Sequence, residues 1–267
     1  MPQLVICDID ATLVNEKKEL TPRTKEALIK LHEKGIYFGI ASGRPVDELK
    51  RNKERWDLPF DFDFVMGMNG AELWDGVHQK FYSYFMMKKE WLKETMEIMN
   101  VVECNPMVYW KGKIRCVRID DWMIHSASTS HKELEIVRLE DLYANENAKI
   151  MFRMKEEDMS KAEAWVKAHP NPYYHGFKTQ TTLLEFCDKR INKGYGLQKI
   201  CELNDMDIKD VMAFGDTSND NDMLKVAGCG VCMINGTDDT KACANAITTY
   251  DNDHDGLAIY LEESEIV

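Results

Sequence analysis

The chain has 267 residues, 44% hydrophobic and 30% charged, enough for one large or two moderate folded domains and unlike a disordered or fibrous chain. Its formal net charge of −12, with no Lys/Arg-rich block, argues against nucleic acid as a partner, although a small anion remains compatible where a metal ion and a few fixed cations reverse the local sign. No apolar run approaches membrane-spanning length, and the first residues carry neither a basic n-region nor a long apolar h-region, so no membrane partner and a cytoplasmic location are expected.

The first element is a short apolar run, Leu4-Val5-Ile6-Cys7, that stops on Asp8-Ile9-Asp10 and is followed by Ala11-Thr12. It reads as a buried strand delivering two carboxylates to its C-terminal end, the place where an open parallel sheet binds ligands. Carboxylates so close repel each other unless a cation holds them, which points to a hard divalent metal; the plain alternative is an Asp-rich turn. Thr21-Pro22 then marks a helix start, with Ala27, Leu28 and Leu31 as its apolar stripe and Gly35 at its end. Residues 36–41 form the next buried strand, and the resulting βαβ unit predicts a parallel sheet. Ser42-Gly43-Arg44-Pro45 follows, then a helix over 46–56, a strand over 63–68, the turn Asn69-Gly70, and hairpin-like alternation around Leu73-Trp74 and 79–84.

Between about residues 88 and 188 the texture changes. Helical stretches at 90–99 and 159–169 alternate with strand pairs such as 107–110 and 114–119, joined by Lys111-Gly112, and predict an α+β module with an antiparallel sheet. From Ile191 the βα rhythm returns: a helix from near Gly194, a strand over 211–216 that again ends on Asp, a helix through Met223 and Leu224, a strand over 229–234, and a short helix after Asp255-Gly256. The expected architecture is an α/β core, residues 1–84 and 189–267, interrupted by an α+β domain, residues 85–188. The eight cysteines lie mostly inside apolar runs and read as reduced core residues. Cys229 and Cys232 are spaced C-x-x-C, but inside a predicted strand with no second ligand pair nearby.

Four pieces end predicted strands or open predicted helices: Asp8-x-Asp10, Ser42-Gly43-Arg44, Lys193, and Gly215-Asp216-x-x-Asn219-Asp220. Each alone has a plain structural reading. Ser42 fits an N-cap, Lys193 fits a solvated basic turn with Lys189 and Arg190, and the last piece fits an Asx-rich loop capping the next helix. Together they make a coherent site for phosphoryl transfer, which needs a nucleophile, a metal, fixed donors for the phosphoryl oxygens and an acid for the leaving group. In that site Asp8 is the nucleophile and Asp10 the acid that then activates water. Asp216 and Asp220 join Asp8 and Asp10 as the carboxylates available to Mg²⁺. Ser42 and the backbone from Gly43 donate to phosphate, and Lys193 sets a point charge against it.

These motifs resemble those of the haloacid dehalogenase-like (HAD) superfamily of hydrolases, Cof-type, subfamily IIB, over the full length of the chain. Asn69-Gly70-Ala71 and Asp255-Gly256 are similar to segments common in that subfamily. The resemblance implies a Rossmann-like parallel-sheet core with an inserted α+β C2-type cap, Mg²⁺ dependence, the roles given above, and Asn219 near the phosphate. It also implies a small phosphomonoester as substrate, such as a sugar phosphate, pyridoxal phosphate or a nucleotide, because family members that dehalogenate or cleave phosphonates generally lack the second Asp. One position departs from the family: Ala11 stands where Gly is usual, at a cost of roughly 1 kcal/mol or more if its φ is positive.

Candidates for reading the leaving group are Arg115, Arg118, His125, Arg153, His175 and Lys178, with Tyr109, Trp110, Tyr173 and Tyr174 as possible stacking surfaces. The alternatives to a phosphatase are a phosphomutase, a phosphoryl-accepting switch and a binding protein with a relict site. Asp10 counts against the switch, since it would hasten loss of the acyl phosphate. Nothing in the sequence indicates the oligomeric state.

Overall fold

The computed structural model describes residues 1–267, and the chain divides into two compact units, Met1–Tyr82 with Ile191–Val267, and Ser83–Arg190. The first part of the chain forms β1 (Leu4–Asp8), α1 (Pro22–Glu33), β2 (Tyr37–Ala41), α2 (Val46–Leu49), α3 (Asn52–Arg55), β3 (Phe64–Gly67), β4 (Glu72–Asp75) and β5 (Lys80–Ser83). The inserted unit contributes α4 (Lys89–Met99), β6 (Cys104–Trp110), β7 (Lys113–Cys116), α5 (Asp121–Ser130), β8 (Glu133–Ile136), α6 (Leu139–Leu142), β9 (Lys149–Met154), α7 (Glu156–Ala168), β10 (Tyr174–Gln180) and β11 (Leu183–Asp188). The chain then returns with α8 (Lys193–Leu203), β12 (Val211–Gly215), α9 (Asn221–Val226), β13 (Cys229–Cys232), α10 (Asp238–Lys241), β14 (Ala246–Ile247) and α11 (Gly256–Glu263).

The core sheet has the order β14-β13-β12-β1-β2-β3-β4-β5. From β14 to β3 its pairs are parallel, and β4 turns back antiparallel to β3. A parallel sheet with helices on its faces buries both sides of every central strand, which is why β1 and β12 are buried at each position. The chain leaves β1 toward β2 and β3, then later fills the opposite side with β12 to β14. The switch in direction falls at β1, where the crevice beyond the strand ends opens for a ligand.

Local chemistry explains most of the boundaries. Thr21 caps α1 by accepting from the Thr24 N–H, Pro22 is its first residue, and Ala27, Leu28 and Leu31 are buried. The single helix expected over 46–56 is two one-turn pieces, α2 and α3. Between Leu49 and Trp56 there is no apolar residue to continue the stripe, so the surface offers nothing for a longer helix to bury.

The inserted unit is built on a six-stranded sheet of order β10-β11-β9-β6-β7-β8. Four of its pairs are antiparallel, as expected, but β7 and β8 run parallel because α5 makes the crossover between them. Leu92, Met96 and Met99 of α4 and Met159 and Ala162 of α7 pack with Ile150, Phe152, Leu184 and Phe186 on one sheet face. Met123 of α5 packs with Met107, Ile114, Met151 and Leu183 on the other. No helix in the chain is long and apolar enough to cross a membrane.

Candidate active site

Three adjacent parallel strands deliver the first part of the site. Asp8 is the last residue of β1 and lies level with Ala41 of β2, so Ser42 follows directly beside it; Asp216 follows Gly215, the last residue of β12. Lys193 opens α8, whose N-cap Asn192 accepts from the Tyr195 N–H at 2.7 Å. The turn is packed without slack: a Cβ on Gly194 would meet the Asp222 carbonyl oxygen at 2.6 Å.

Lys193 is completely buried, and its Nζ donates to Asp8 Oδ1 and, at 2.5 Å, to Asp220 Oδ1. The solvated basic turn is thereby replaced by an internal cation. Asp220 uses its other oxygen to accept from the Asp216 and Thr217 N–H groups at 3.0 and 3.1 Å. One carboxylate thus closes its own loop and holds Lys193 as well. Gly215 makes this fold-back possible, since a Cβ there would lie 2.5 Å from Asp220 Cβ. Asp216 Oδ1 accepts a 2.8 Å hydrogen bond from Thr12 Oγ1.

Oxygen atoms of Asp8, Asp216 and Asp220 all lie within 4.8 Å of one another. One buried ammonium faces three buried carboxylates. Burial pushes the Asp8 carboxyl well above the usual carboxylate range against the opposing pull of Lys193. Burial likewise pushes Asp216 up to about 6, although the Thr12 hydrogen bond opposes it. Burial alone would lower the Lys193 value, but the charges of Asp220 and Asp8 outweigh it and hold the ammonium form more firmly than usual. A cluster of hard oxygen donors with surplus negative charge fits a divalent cation such as Mg²⁺.

The Asp10 carboxylate stands outside that cluster. It is half-buried and is paired with Arg44 Nη2 at 2.9 Å and Lys18 Nζ at 2.8 Å. Burial would raise its pKa, but Arg44 and then Lys18 outweigh burial and hold it below the ordinary value. Between Asp10 and Thr12, Ala11 adopts φ +59°, the left-handed conformation that glycine accepts without cost.

Ser42 is buried and is not a helix cap: its Oγ accepts from the Arg44 N–H at 3.3 Å, while the N-cap of α2 is Pro45. The helix start expected to add N–H donors is only a four-residue turn. Gly43 lies against the Asn69 side chain, where an added Cβ would be 3.3 Å from Asn69 Oδ1. Asn219 bridges two loops, its Oδ1 accepting from Thr217 Oγ1 at 2.7 Å and its Nδ2 donating to Asn69 Oδ1 at 3.5 Å.

Thr12, Lys18, Arg44 and Asn69 are the site residues to which the sequence assigned no task. Thr12 had a signal, a hydroxyl two residues after the second Asp, and Asn69 had its turn dipeptide. Lys18 had none, because nothing local tells one lysine of a Lys17-Lys18 pair from the other.

In the inserted unit most candidate cations are engaged. Arg115 pairs with Glu135 at 2.6 Å, Arg118 reaches Glu103 at 3.5 Å, and Lys178 reaches Glu163 at 3.8 Å. Buried Arg153 donates to Ser126, Gln180 and Thr182, tying α5 to the β10–β11 hairpin. His175 Nε2 lies 3.3 Å from Cys187 Sγ, Tyr174 donates to Glu94, and Tyr173 stacks on Trp91. All eight cysteines, Cys229 and Cys232 included, are free thiols.

A parallel sheet whose first strand ends in Asp8, with a buried lysine and two further aspartates beside it, defines a phosphoryl-transfer fold, and the comparisons with known proteins agree. The family model for haloacid dehalogenase-like hydrolases matches residues 5–261, and the chain belongs to that family. It is an enzyme, a HAD-type phosphatase by the names of its full-length relatives. Among these, the 5-amino-6-(5-phospho-D-ribitylamino)uracil phosphatase YitU of Bacillus subtilis (strain 168) is 26% identical over 272 residues, covering 98% of this chain and 97% of its own. A haloacid dehalogenase-like hydrolase from Bacteroides thetaiotaomicron superposes with a TM-score of 0.88 at 25% identity, over 99% of this chain and all of its own. A HAD subclass IIB sugar phosphatase shares the whole fold, with a TM-score of 0.82 at 23% identity and 99% coverage of both chains.

Proposed function

We propose that the chain is a Mg²⁺-dependent phosphatase that hydrolyses a small phosphomonoester, such as a sugar phosphate, pyridoxal phosphate or a nucleotide, through an aspartyl-phosphate on Asp8. The observation that carries this reading is Lys193 Nζ bonded to both Asp8 and Asp220 inside a three-carboxylate cluster. Asp8, Asp216 and Asp220 would hold the ion, which when bound supplies positive charge to the phosphoryl oxygens. The name of the Bacillus relative supports a small phosphorylated metabolite as the substrate class.

The residues of the chain divide the remaining work. Lys193 engages Asp8 Oδ1, so Oδ2 is the oxygen that attacks phosphorus as the ester P–O bond breaks. The leaving oxygen takes a proton from Asp10. Water then attacks the acyl phosphate, gives its proton to Asp10, and releases phosphate with the Asp8 carboxylate restored. Paired with Arg44 and Lys18, Asp10 is ionised, the form that takes the proton from water. Its acid form is the one it holds after taking that proton, ready for the next leaving oxygen. Ser42 Oγ, already accepting from Arg44, has its own hydrogen for a phosphoryl oxygen, and the Gly43 backbone and Asn219 Nδ2 are further donors. The inserted domain, residues 85–188, is the part that reads the leaving group.

The test is phosphate release from a panel of phosphomonoesters with Mg²⁺, beside EDTA and Asp8→Asn controls. Turnover that disappears in both controls supports the mechanism. Transfer of phosphate between two positions of a sugar without release identifies a phosphomutase instead, and no reaction with any ester by folded, Mg²⁺-loaded protein removes the reading.

A further inference from the structure

The loop after β1 is held from the far end of the chain. Residues 15–19 bury no side chain, so hydrophobic packing does not place them. Hydrogen bonds do. Asn252 Nδ2 donates to the Val14 carbonyl at 2.9 Å, and Asp253 Oδ1 accepts from the Glu16 N–H at 2.8 Å, across 238 and 237 residues. The two contacts flank Asn15, whose carbonyl accepts from the Lys18 N–H at 2.9 Å and whose Oδ1 accepts from the Glu19 N–H at 2.9 Å. The turn they fix presents Lys18, at φ +63°, to Asp10. Val14 itself forms a bridge with Asp10. On either side the same brace continues, with Asn235 Nδ2 on the Ala11 carbonyl at 2.8 Å and Asp255 accepting from Thr21 Oγ1.

We propose that Asn252 and Asp253 are positioning residues for Asp10, acting through residues 15–18 to hold Lys18 against it. This rests on the reading of Asp10 as the acid and base. Neither side chain reaches the reacting atoms; each sets a backbone group four or two residues before Lys18. Residues 15–18 bury no side chain, so removing either contact frees them to shift, and a catalytic group misplaced by about 1 Å can cost up to about 100-fold in rate. Because Ser42, Lys193 and the carboxylate cluster do not depend on this loop for their contacts, substrate affinity should be spared.

The experiment measures kcat and KM for the preferred ester in Asn252→Ala, Asp253→Ala, Asp253→Asn and Asp10→Asn, with the thermal midpoint of each. The expected result is a fall in kcat of about tenfold for the two alanine variants with KM within about twofold, and recovery in Asp253→Asn, whose Oδ1 still accepts from Glu16. Wild-type kcat in both alanine variants beside an inactive Asp10→Asn overturns the proposal while leaving the assigned chemistry intact. Equal damage to kcat, KM and thermal midpoint, not recovered by asparagine, overturns it in favour of a purely structural tie. An Asp10→Asn enzyme with wild-type kcat removes the proposal together with the role of Asp10 on which it rests.

Discussion

Thr12 Oγ1 donates a 2.8 Å hydrogen bond to Asp216 Oδ1, joining two buried residues 204 positions apart. The bond fixes the rotamer of a carboxylate that belongs to the acidic cluster and opposes the effect of burial on its titration. Groups that orient a metal ligand typically contribute about 10 to 100-fold in affinity or activity. Thr12→Val, which keeps the shape and removes the donor, is therefore expected to raise the Mg²⁺ concentration for half-maximal activity at least about tenfold. A Mg²⁺ titration of initial rate checks this, and an unchanged midpoint would remove Asp216 from the ion's ligands.

The same carboxylate sets a pH dependence whose sign is determined. Its folded value of about 6 lies above the ordinary 3.8, so the native state holds the proton more tightly than the unfolded chain. The stabilisation this provides is complete below the unfolded value and is lost as pH rises through about 6, a difference on the order of 3 kcal/mol for this group. Metal-free protein is expected to lose stability across that interval as far as this group governs it. Bound Mg²⁺ competes with the proton, so its increment in thermal midpoint should be larger at about pH 7.5 than at about pH 5. Calorimetric scans with and without Mg²⁺ at both values test this; an equal increment at the two would mean that the cluster is ionised throughout.

Ala11 gives a prediction for stability. At φ +59° its methyl group meets the strain that a left-handed L residue carries, about 1–2 kcal/mol, and glycine at the same position has none. The greater freedom of glycine in the unfolded chain takes part of that back. Ala11→Gly should stabilise the protein by about 0.5–1 kcal/mol, read as a higher denaturant midpoint at unchanged m-value. A lower midpoint would mean that the freedom glycine gains in the unfolded chain outweighs the strain it relieves.

What was legible in the sequence followed how local its cause was. Asp8 and Asp216 were visible because a buried parallel strand is a continuous apolar run, and a carboxylate at its end interrupts that run. Thr21-Pro22 was visible because a cap is decided within four residues. Lys193 was ambiguous on its own, since burial of a lysine depends on two partners, Asp8 and Asp220, that lie 185 and 27 residues away. Lys18 was invisible for the same reason, its position being set by Asn252 and Asp253. The break between α2 and α3 was readable in principle from the missing apolar residues after Leu49, but charge-rich helical composition hid it. In the inserted unit the parallel β7–β8 pair was not foreseen, because α5 is a Ser-rich segment of low helix propensity whose helix is secured by the Asp120 cap and by Met123 in the core.

Lys193 carries the most consequential prediction, because it is the one cation buried among three carboxylates. Removing it in Lys193→Met leaves Asp8 and Asp220 facing each other with no ammonium between them, and loss of one partner from a buried charge pair typically costs about 3–5 kcal/mol. Metal-free Lys193→Met should therefore unfold at a markedly lower denaturant concentration than the wild type. Mg²⁺ should return more stability to the variant than to the wild type, since the ion then supplies charge that the lysine no longer does. Activity should not return with it: the point charge at the phosphoryl group is lost, and an electrostatic donor of that kind is worth about 100-fold or more in kcat. Denaturation curves with and without Mg²⁺ together with initial rates separate the two effects. A variant as stable as the wild type without metal would mean that Asp8 and Asp220 share a proton rather than a charge, and the count of surplus negative charge at the site would fall with it.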